Sequence, residues 1–219
     1  MDRRTKPSGA AAAAPVRVRR SPAAMAALKR AMLERARLIH REEGLAALSM
    51  RRMAQEAGLS TMALYSYFPS KQALLEELWQ EVFEGLLAQL LPASTGRRLP
   101  LGVLESHVRS FLDFWEQRPD QFRMIYMSAQ QSAGEGAVAI ERRPVYQQVV
   151  NLTRERVAAC WRGASEPSEA EVARLAALVV AKQLGYLLLA VGLARYPLPD
   201  RDVLRESLVA DIVAAVAAP

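Results

Sequence analysis

Between positions 49 and 68 the chain reads SMRRMAQEAGLSTMALYSYF, and residues able to grip a polyanion alternate there with residues able only to pack. The hydroxyls of Ser49, Ser60, Thr61 and Ser66 can meet phosphate oxygens. So can the phenols of Tyr65 and Tyr67, the guanidinium of Arg51 and, just beyond, the ammonium of Lys71. Met62 and Ala63 present methyl surface suited to a thymine methyl group. Met53, Ala54, Ala57, Leu59 and Leu64 are small or apolar and suit packing. This chemistry is recognition, not bond breaking. No nucleophile–base pair or phosphate-cradling glycine loop stands out in the chain, and Glu42-Glu43 and Glu76-Glu77 read as solvated helix faces. The expectation is a binding protein and not an enzyme, with no cofactor. Cys160, His40 and His107 have no partners at metal-ligand spacing, so no metal is expected, and one thiol cannot close an internal disulfide.

These groups need elements to hold them. Gly58 can take the left-handed conformation of a tight turn, so Gly58-Leu59-Ser60 joins two short helices, the first capped by Ser49 and the second by Ser60 and closed by Pro69. A helix of this length is unstable alone and needs support from its neighbours. Ser21-Pro22 starts a preceding helix with the stripe Met25, Leu28, Met32, Ala36, Ile39, and Gly44 ends it. Ser70 starts a fourth helix with a long apolar stripe from Leu74 to Leu90, and Pro92 stops it. With Leu64 inward, Met62, Ala63, Tyr65 and Ser66 turn outward and Thr61 stands at the exposed N-terminal end. A short polar helix presented across another is the shape that enters a DNA major groove.

The remainder is also helical in period. Helices are expected at 100–118, at 120–130 after Pro119, at Pro144 to Arg162, at about 167–195 and at 200–217, with a loop at Gly134 and Gly136 and a break at Tyr196-Pro197-Leu198-Pro199. Strand periodicity is rare. The fold class is therefore all-α, about nine helices, divided into a disordered basic arm (1–20), a helix-turn-helix head (21–70) and a larger helical body (71–219).

Charge is divided along the same line. The chain carries net +6, with 14 Lys/Arg against 5 Asp/Glu in residues 1–71 and 15 against 18 in residues 72–219. A basic front on an acidic body fits a polyanionic partner, although the arm alone holds six of the basic residues and a solvated tail accounts for them equally well. The arm has no apolar run of the secretory type, and a cytoplasmic location is expected. Leu175 to Ala194 has the length of a membrane span, but Lys182 and Gln183 at its middle favour a helix buried in protein, with no membrane partner.

From Leu48 to Leu75 the sequence resembles the DNA-binding domain of the TetR family of regulators. The matching residues are Ala54, Ala57-Gly58-Leu59-Ser60, Leu64-Tyr65, Phe68, Lys71 and Leu74-Leu75, and the flanking helices extend the likeness over Ala27 to Trp79. Met62 stands where glycine is common in the family, and Ser66-Tyr67 replaces a frequent Arg-His pair, so no operator sequence can be borrowed. The resemblance implies double-stranded DNA as partner. Thr61, Met62 and Ala63 are then candidate base readers. Arg51 is either a base or a phosphate contact. Tyr65, Tyr67 and Lys71 grip phosphates, with packing against the first helix the alternative for Tyr67. Ser49 and Ser60 are caps whose N–H groups can also meet phosphate.

The resemblance also implies a homodimer through residues 167–195 and 200–217, a palindromic operator, and an inducer held in the body. The bulky residues Phe111, Phe114, Trp115, Phe122, Met124, Met127, Tyr146, Trp161 and Tyr186 are candidate pocket-lining groups, although any one such residue is more often plain core, and they suggest a mainly apolar ligand. His107 lies on an apolar stripe and is expected to be a satisfied core histidine. The expected function is a ligand-responsive transcriptional repressor. Its alternatives are a small-molecule-binding bundle without sequence-specific DNA binding, and an activator of the same fold.

Overall fold

A computed structural model describes residues 21–94, 99–127, 140–163, 165–193 and 200–217. Among these residues it contains nine α-helices and no strand, as the periodicity predicts. The arm 1–20, Gly134, Gly136 and Tyr196–Pro199 lie outside the described residues.

Local signals set the helices of the N-terminal part. Ser21 accepts the Ala24 N–H, Pro22 opens α1 (Pro22–Glu43), and Gly44 at φ 81° ends it. Ser49 accepts the Arg52 N–H at the start of α2 (Met50–Glu56). Gly58 turns the chain at φ 62°. Ser60 accepts the Ala63 N–H to start α3 (Thr61–Tyr65), and Ser70 accepts the Ala73 N–H to start α4 (Lys71–Leu90). Each such cap contributes about 1 kcal/mol.

Burial then locks these short helices together. Met32, Ala36 and Ile39 of α1, Met53 and Ala54 of α2, Leu64 of α3 and Leu74 and Leu78 of α4 lie in one core. A fully buried leucine such as Leu64 contributes about 1.5–3 kcal/mol, which a five-residue helix cannot supply by itself. Arg52 adds a two-pronged ion pair to Glu43, and Arg35 bonds Glu56 at 2.8 Å, so both ends of α2 are tied to α1.

The body consists of α5 (Pro100–Glu116), α6 (Pro119–Tyr126), α7 (Pro144–Ala159), α8 (Glu169–Leu187) and α9 (Arg201–Ala217). α5 is central and packs on α4, α6, α7, α8 and α9. α4 belongs to both parts, since it packs on α1 at one side and on α5 and α7 at the other. α7 ends three residues before the expected Arg162, because Cys160 and Trp161 tighten onto Val157 and Ala158 with short-range turns. The expected helix at 120–130 ends at Tyr126, leaving Met127 exposed.

α8 widens into a π-turn over Leu188–Gly192. With that turn it is long and apolar enough to cross a membrane. Its inner face, including Leu175, Val179, Gln183 and Leu187, is nevertheless buried in the protein, and Gln183 faces the Val108 carbonyl at 3.5 Å.

Candidate nucleic-acid interface and ligand core

α3 is held from beneath by Leu64, which is fully buried, and by Phe68 just after it. That anchoring fixes which residues face outward. Met62 is 81% exposed and Tyr65 43%, Thr61 and Ser66 are exposed, and Ala63 is half-buried. The candidate base readers thus divide: Thr61 and Met62 stand clear of the protein, whereas Ala63 offers one edge only. The Ser66 hydroxyl donates to the Ala63 carbonyl at 2.6 Å, so its hydrogen is engaged and its oxygen lone pairs remain.

Around this helix stand the other expected contacts. Ser49 and Ser60 are exposed, and their hydroxyls are occupied as caps. Arg51 is exposed and makes no ion pair with a described residue, unlike its neighbour Arg52, which is committed to Glu43. Tyr67 is half-buried against the core, as its packing alternative requires. Lys71 Nζ donates to the Leu45 carbonyl at 3.2 Å. One of its three donors is thereby spent, and the charge is held against the short turn that follows α1.

The candidate ligand residues occupy a different setting. Trp115 makes edge-to-face contacts with Phe83, Phe111, Phe114, Phe122 and Tyr126, at centroid distances of 4.9–6.3 Å. Tyr146 closes the cluster against Phe83 at 5.2 Å. Phe111, Phe114, Trp115, Phe122, Met124 and Tyr186 are buried, Tyr146 and Trp161 half-buried, and Met127 exposed. Most of these side chains therefore fill space against one another, and a molecule entering among them must part them. Two line clefts instead: Met124 between α1 and the α5–α6 corner, and Trp161 between the start of α5 and the end of α7. The indole N–H of Trp115 is buried and meets no acceptor. The Tyr186 hydroxyl donates to Glu116 at 2.7 Å.

His107 is a satisfied core histidine. Arg156 donates to its Nδ1 at 2.5 Å, which makes Nε2 the protonated nitrogen, and Nε2–H donates to Thr153 Oγ1 at 3.1 Å. Thr153 passes its own hydrogen to the Val149 carbonyl at 3.1 Å. Burial, aided by the Arg156 charge, holds the imidazole pKa down to about 3, so the ring is neutral. Arg156 also donates to the Leu90 carbonyl at 2.8 Å, at the end of α4, where the helix dipole favours a cation. Sequence reasoning passed over Arg156 and Thr153. The available signal was their register: Val149, Thr153 and Arg156 recur at helical spacing on the buried stripe of α7.

Comparison with known proteins accords with this geometry. The family model for bacterial regulatory proteins of the tetR family matches residues 32–78, the span from mid-α1 to mid-α4 that builds the head. Residues 32–78 thus carry the sequence signature of the tetR family's regulatory proteins. The nucleoid occlusion factor SlmA of Haemophilus influenzae is 28% identical over 88 residues, and that of Mannheimia succiniciproducens is equally so. Each match spans 40% of this chain and about two fifths of the relative's length.

Solved structures extend the likeness of fold to the body. A Rhodococcus sp. RHA1 protein of unknown function superposes with TM-score 0.67 at 24% identity, over 93% of this chain and all of that one. The TetR family transcriptional regulator PfmR of Thermus thermophilus superposes with TM-score 0.58 at 20% identity, over 84% and 94%. The described residues thus share the all-helical fold of these solved structures from α1 to α9.

Proposed function

We propose that this protein is a TetR-family, ligand-responsive transcriptional repressor that reads a palindromic operator as a homodimer and is released by a mainly apolar small molecule. The observation that carries the reading is α3 itself: Leu64 is sealed in the core while Met62, two residues earlier and so on the opposite face, is 81% exposed with Thr61 beside it. An exposed methionine on a capped helix start has no folding role. It suits methyl contact in a major groove. Thr61 and Met62 read bases, with Ala63 contributing one edge. Arg51 reaches a base or a phosphate. Ser49, Ser60, Tyr65, Ser66, Tyr67 and Lys71 fix register on the backbone.

The dimer reading draws on the outer face of α8. Ala177, Ala181 and Gly185 are exposed at intervals of four, flanked by exposed Leu178 and Leu188, while α9 exposes Val203, Leu204, Ala210 and Ala214. Small residues at that spacing let two helices approach closely, and an apolar stripe of this kind is the surface a second copy would cover. The inducer reading draws on the aromatic cluster around Trp115. Its orphan indole N–H would be satisfied by a single acceptor atom on an otherwise apolar molecule. The inducer acts by preferring the conformer whose two heads no longer match the operator spacing.

The deciding experiment selects bound duplexes from a random pool. The expected product is a palindrome, with affinity falling steeply as salt rises because phosphate contacts release counterions. Met62→Lys should change the preferred base at one symmetric position. Binding that ignores salt, or a pool that yields no shared sequence, would refute DNA reading. The helical bundle without sequence-specific recognition would then be favoured. Operators lying upstream of activated promoters would assign activation instead of repression.

A further inference from the structure

A cleft of about 250 Å³ opens between the C-terminal half of α1 and the corner where α5 turns into α6. Leu38, Pro119 and Met124 give it an apolar wall. Its charged groups are unequally committed. Arg37 is paired with Glu34 and Glu81, and Asp120 is paired with Arg123 at 3.2 Å. Two guanidinium groups lining the cleft are less committed: one has only a long, exposed ion pair and the other none with a described residue. Arg41 comes no nearer a carboxylate than 4.0 Å, to its exposed neighbour Glu42. Arg118 lies over the Phe114 ring at 4.3 Å and gives one N–H to the Phe114 carbonyl at 3.2 Å, with no carboxylate in reach.

Three further features favour an anion. His40 also lines the cleft, and burial lowers its pKa against the opposing pull of Asp120, so a neutral ring stands ready to hydrogen-bond without adding charge. α6 starts at this corner with no side chain capping its first turn, which adds the positive end of a helix, opposed in part by Asp120 in the same turn. Gln117 and Gln121 provide uncharged donors at the same edge.

We propose that this cleft is a second small-molecule site, taking a compact organic carboxylate whose charge meets Arg41 and Arg118 and whose apolar part rests on Leu38, Pro119 and Met124. The volume is below that of drug-sized pockets and suits a molecule of roughly ten heavy atoms. The bidentate geometry of guanidinium with carboxylate supplies the selectivity. α1 belongs to the head and the α5–α6 corner to the body. An occupant therefore touches both and biases their relative position by as much as its affinity differs between the two arrangements. The site borders the aromatic cluster of the inducer reading, whose Phe114 ring lies under Arg118, but none of that cluster's rings lines it.

The test is calorimetric titration of benzoate, phenylacetate and hexanoate into the full-length protein without DNA, with benzamide as the uncharged counterpart. At least one carboxylate should bind saturably, one per chain, with a dissociation constant below about 1 mM, and benzamide at least tenfold more weakly. Arg41→Gln together with Arg118→Gln should weaken binding tenfold or more. Arg41→Gln alone, at an exposed position that leaves the fold intact, should weaken it at least threefold. Trp115→Phe should leave it unchanged. The proposal is overturned if none of the three carboxylates binds with a dissociation constant below about 1 mM, if the arginine variants bind as the parent does, or if Trp115→Phe abolishes binding. No arm of the test uses DNA, so loss of the operator reading would not affect it.

Discussion

Replacement of His107 by leucine should make the protein less stable at neutral pH and remove an acid-labile part of its stability. In the folded chain the imidazole is fully buried with its pKa near 3, whereas the unfolded chain titrates near 6.5. Between those values the unfolded state binds a proton that the folded state refuses, so stability falls as pH drops through 6.5 toward 3. At pH 4.5, two units below 6.5, the loss relative to pH 7.5 is about 2.7 kcal/mol. The variant carries no such group, and the carboxylates common to both proteins cancel in the comparison. At pH 7.5 the variant leaves the Arg156 N–H and the Thr153 hydroxyl short of partners, costing about 1–3 kcal/mol for each group left unsatisfied. Urea unfolding followed by tryptophan fluorescence, at one fixed protein concentration, measures both proteins at pH 7.5, 6.0 and 4.5. The gap between them should narrow by roughly 2–3 kcal/mol toward acid. A gap constant to within about 0.5 kcal/mol would show that His107 does not refuse the proton, and the relay from Arg156 to Thr153 would be refuted.

Four other outcomes follow from the same geometry. Gly58→Ala should cost about 1–2 kcal/mol in thermal or urea unfolding, purely from the backbone, since φ is 62° and an added Cβ meets nothing within 4 Å. Ser60→Ala should cost about 1 kcal/mol and weaken DNA binding beyond the loss of the hydroxyl, because α3 loses its only side-chain cap; an unchanged operator affinity would count against α3 as reader. Lys71→Ala should weaken all duplexes alike and lower the salt slope by about one unit, measured by titration at several salt concentrations. Ala181→Leu, on the exposed small-residue face of α8, should shift sedimentation toward a single chain if that face joins two copies, and a variant that sediments as the parent would place the interface elsewhere.

The parts of the fold legible in the sequence were those with local causes. Ser21, Ser49, Ser60 and Ser70 each start a helix because a serine oxygen reaches a backbone N–H three residues on, and that reach is written in four residues of sequence. The outward face of α3 was legible for the same reason, since Leu64 alone fixes the rotation of so short a helix. What escaped depends on partners distant in sequence. Lys71 meets Leu45 across 26 positions, and Arg156 meets His107 across 49 and Leu90 across 66. The π-turn of α8 coincides with Arg123 donating to the Val191 carbonyl at 3.0 Å and with Gly192 lying under Met127, contacts that no period in the sequence announces. Bulky side chains in the body could be named as candidates, but whether they line space or fill it is a property of their mutual packing.

Those distant contacts bear on how a ligand in the body could reach α3. α1 and α4 are joined by a shared core, by Lys29 to Glu77 at 3.0 Å and by Arg37 to Glu81. The ion pairs are partly exposed and contribute little each; Met32 and Ile39 of α1 are buried in the same apolar core as the α4 stripe, and that burial contributes more. The two helices should then move together. On the proposed reading, displacement of the head relative to the body must be absorbed where α4 meets α7 and where α1 faces the α5–α6 corner. At the first seam Arg143 pairs with Glu76 and contacts Gln80 at 3.3 Å, while Arg156 holds the Leu90 carbonyl. These are polar contacts at both ends of one helix pair, and polar contacts can exchange partners during a small shift more cheaply than a packed apolar layer can be reopened. The second seam is a cleft with uncommitted charge, so it offers little resistance and one place for a second molecule to act. On the proposed reading the α1–α4 pair is the element whose position a ligand at either site must bias, and it can do so only by as much as its affinity differs between two arrangements of that pair.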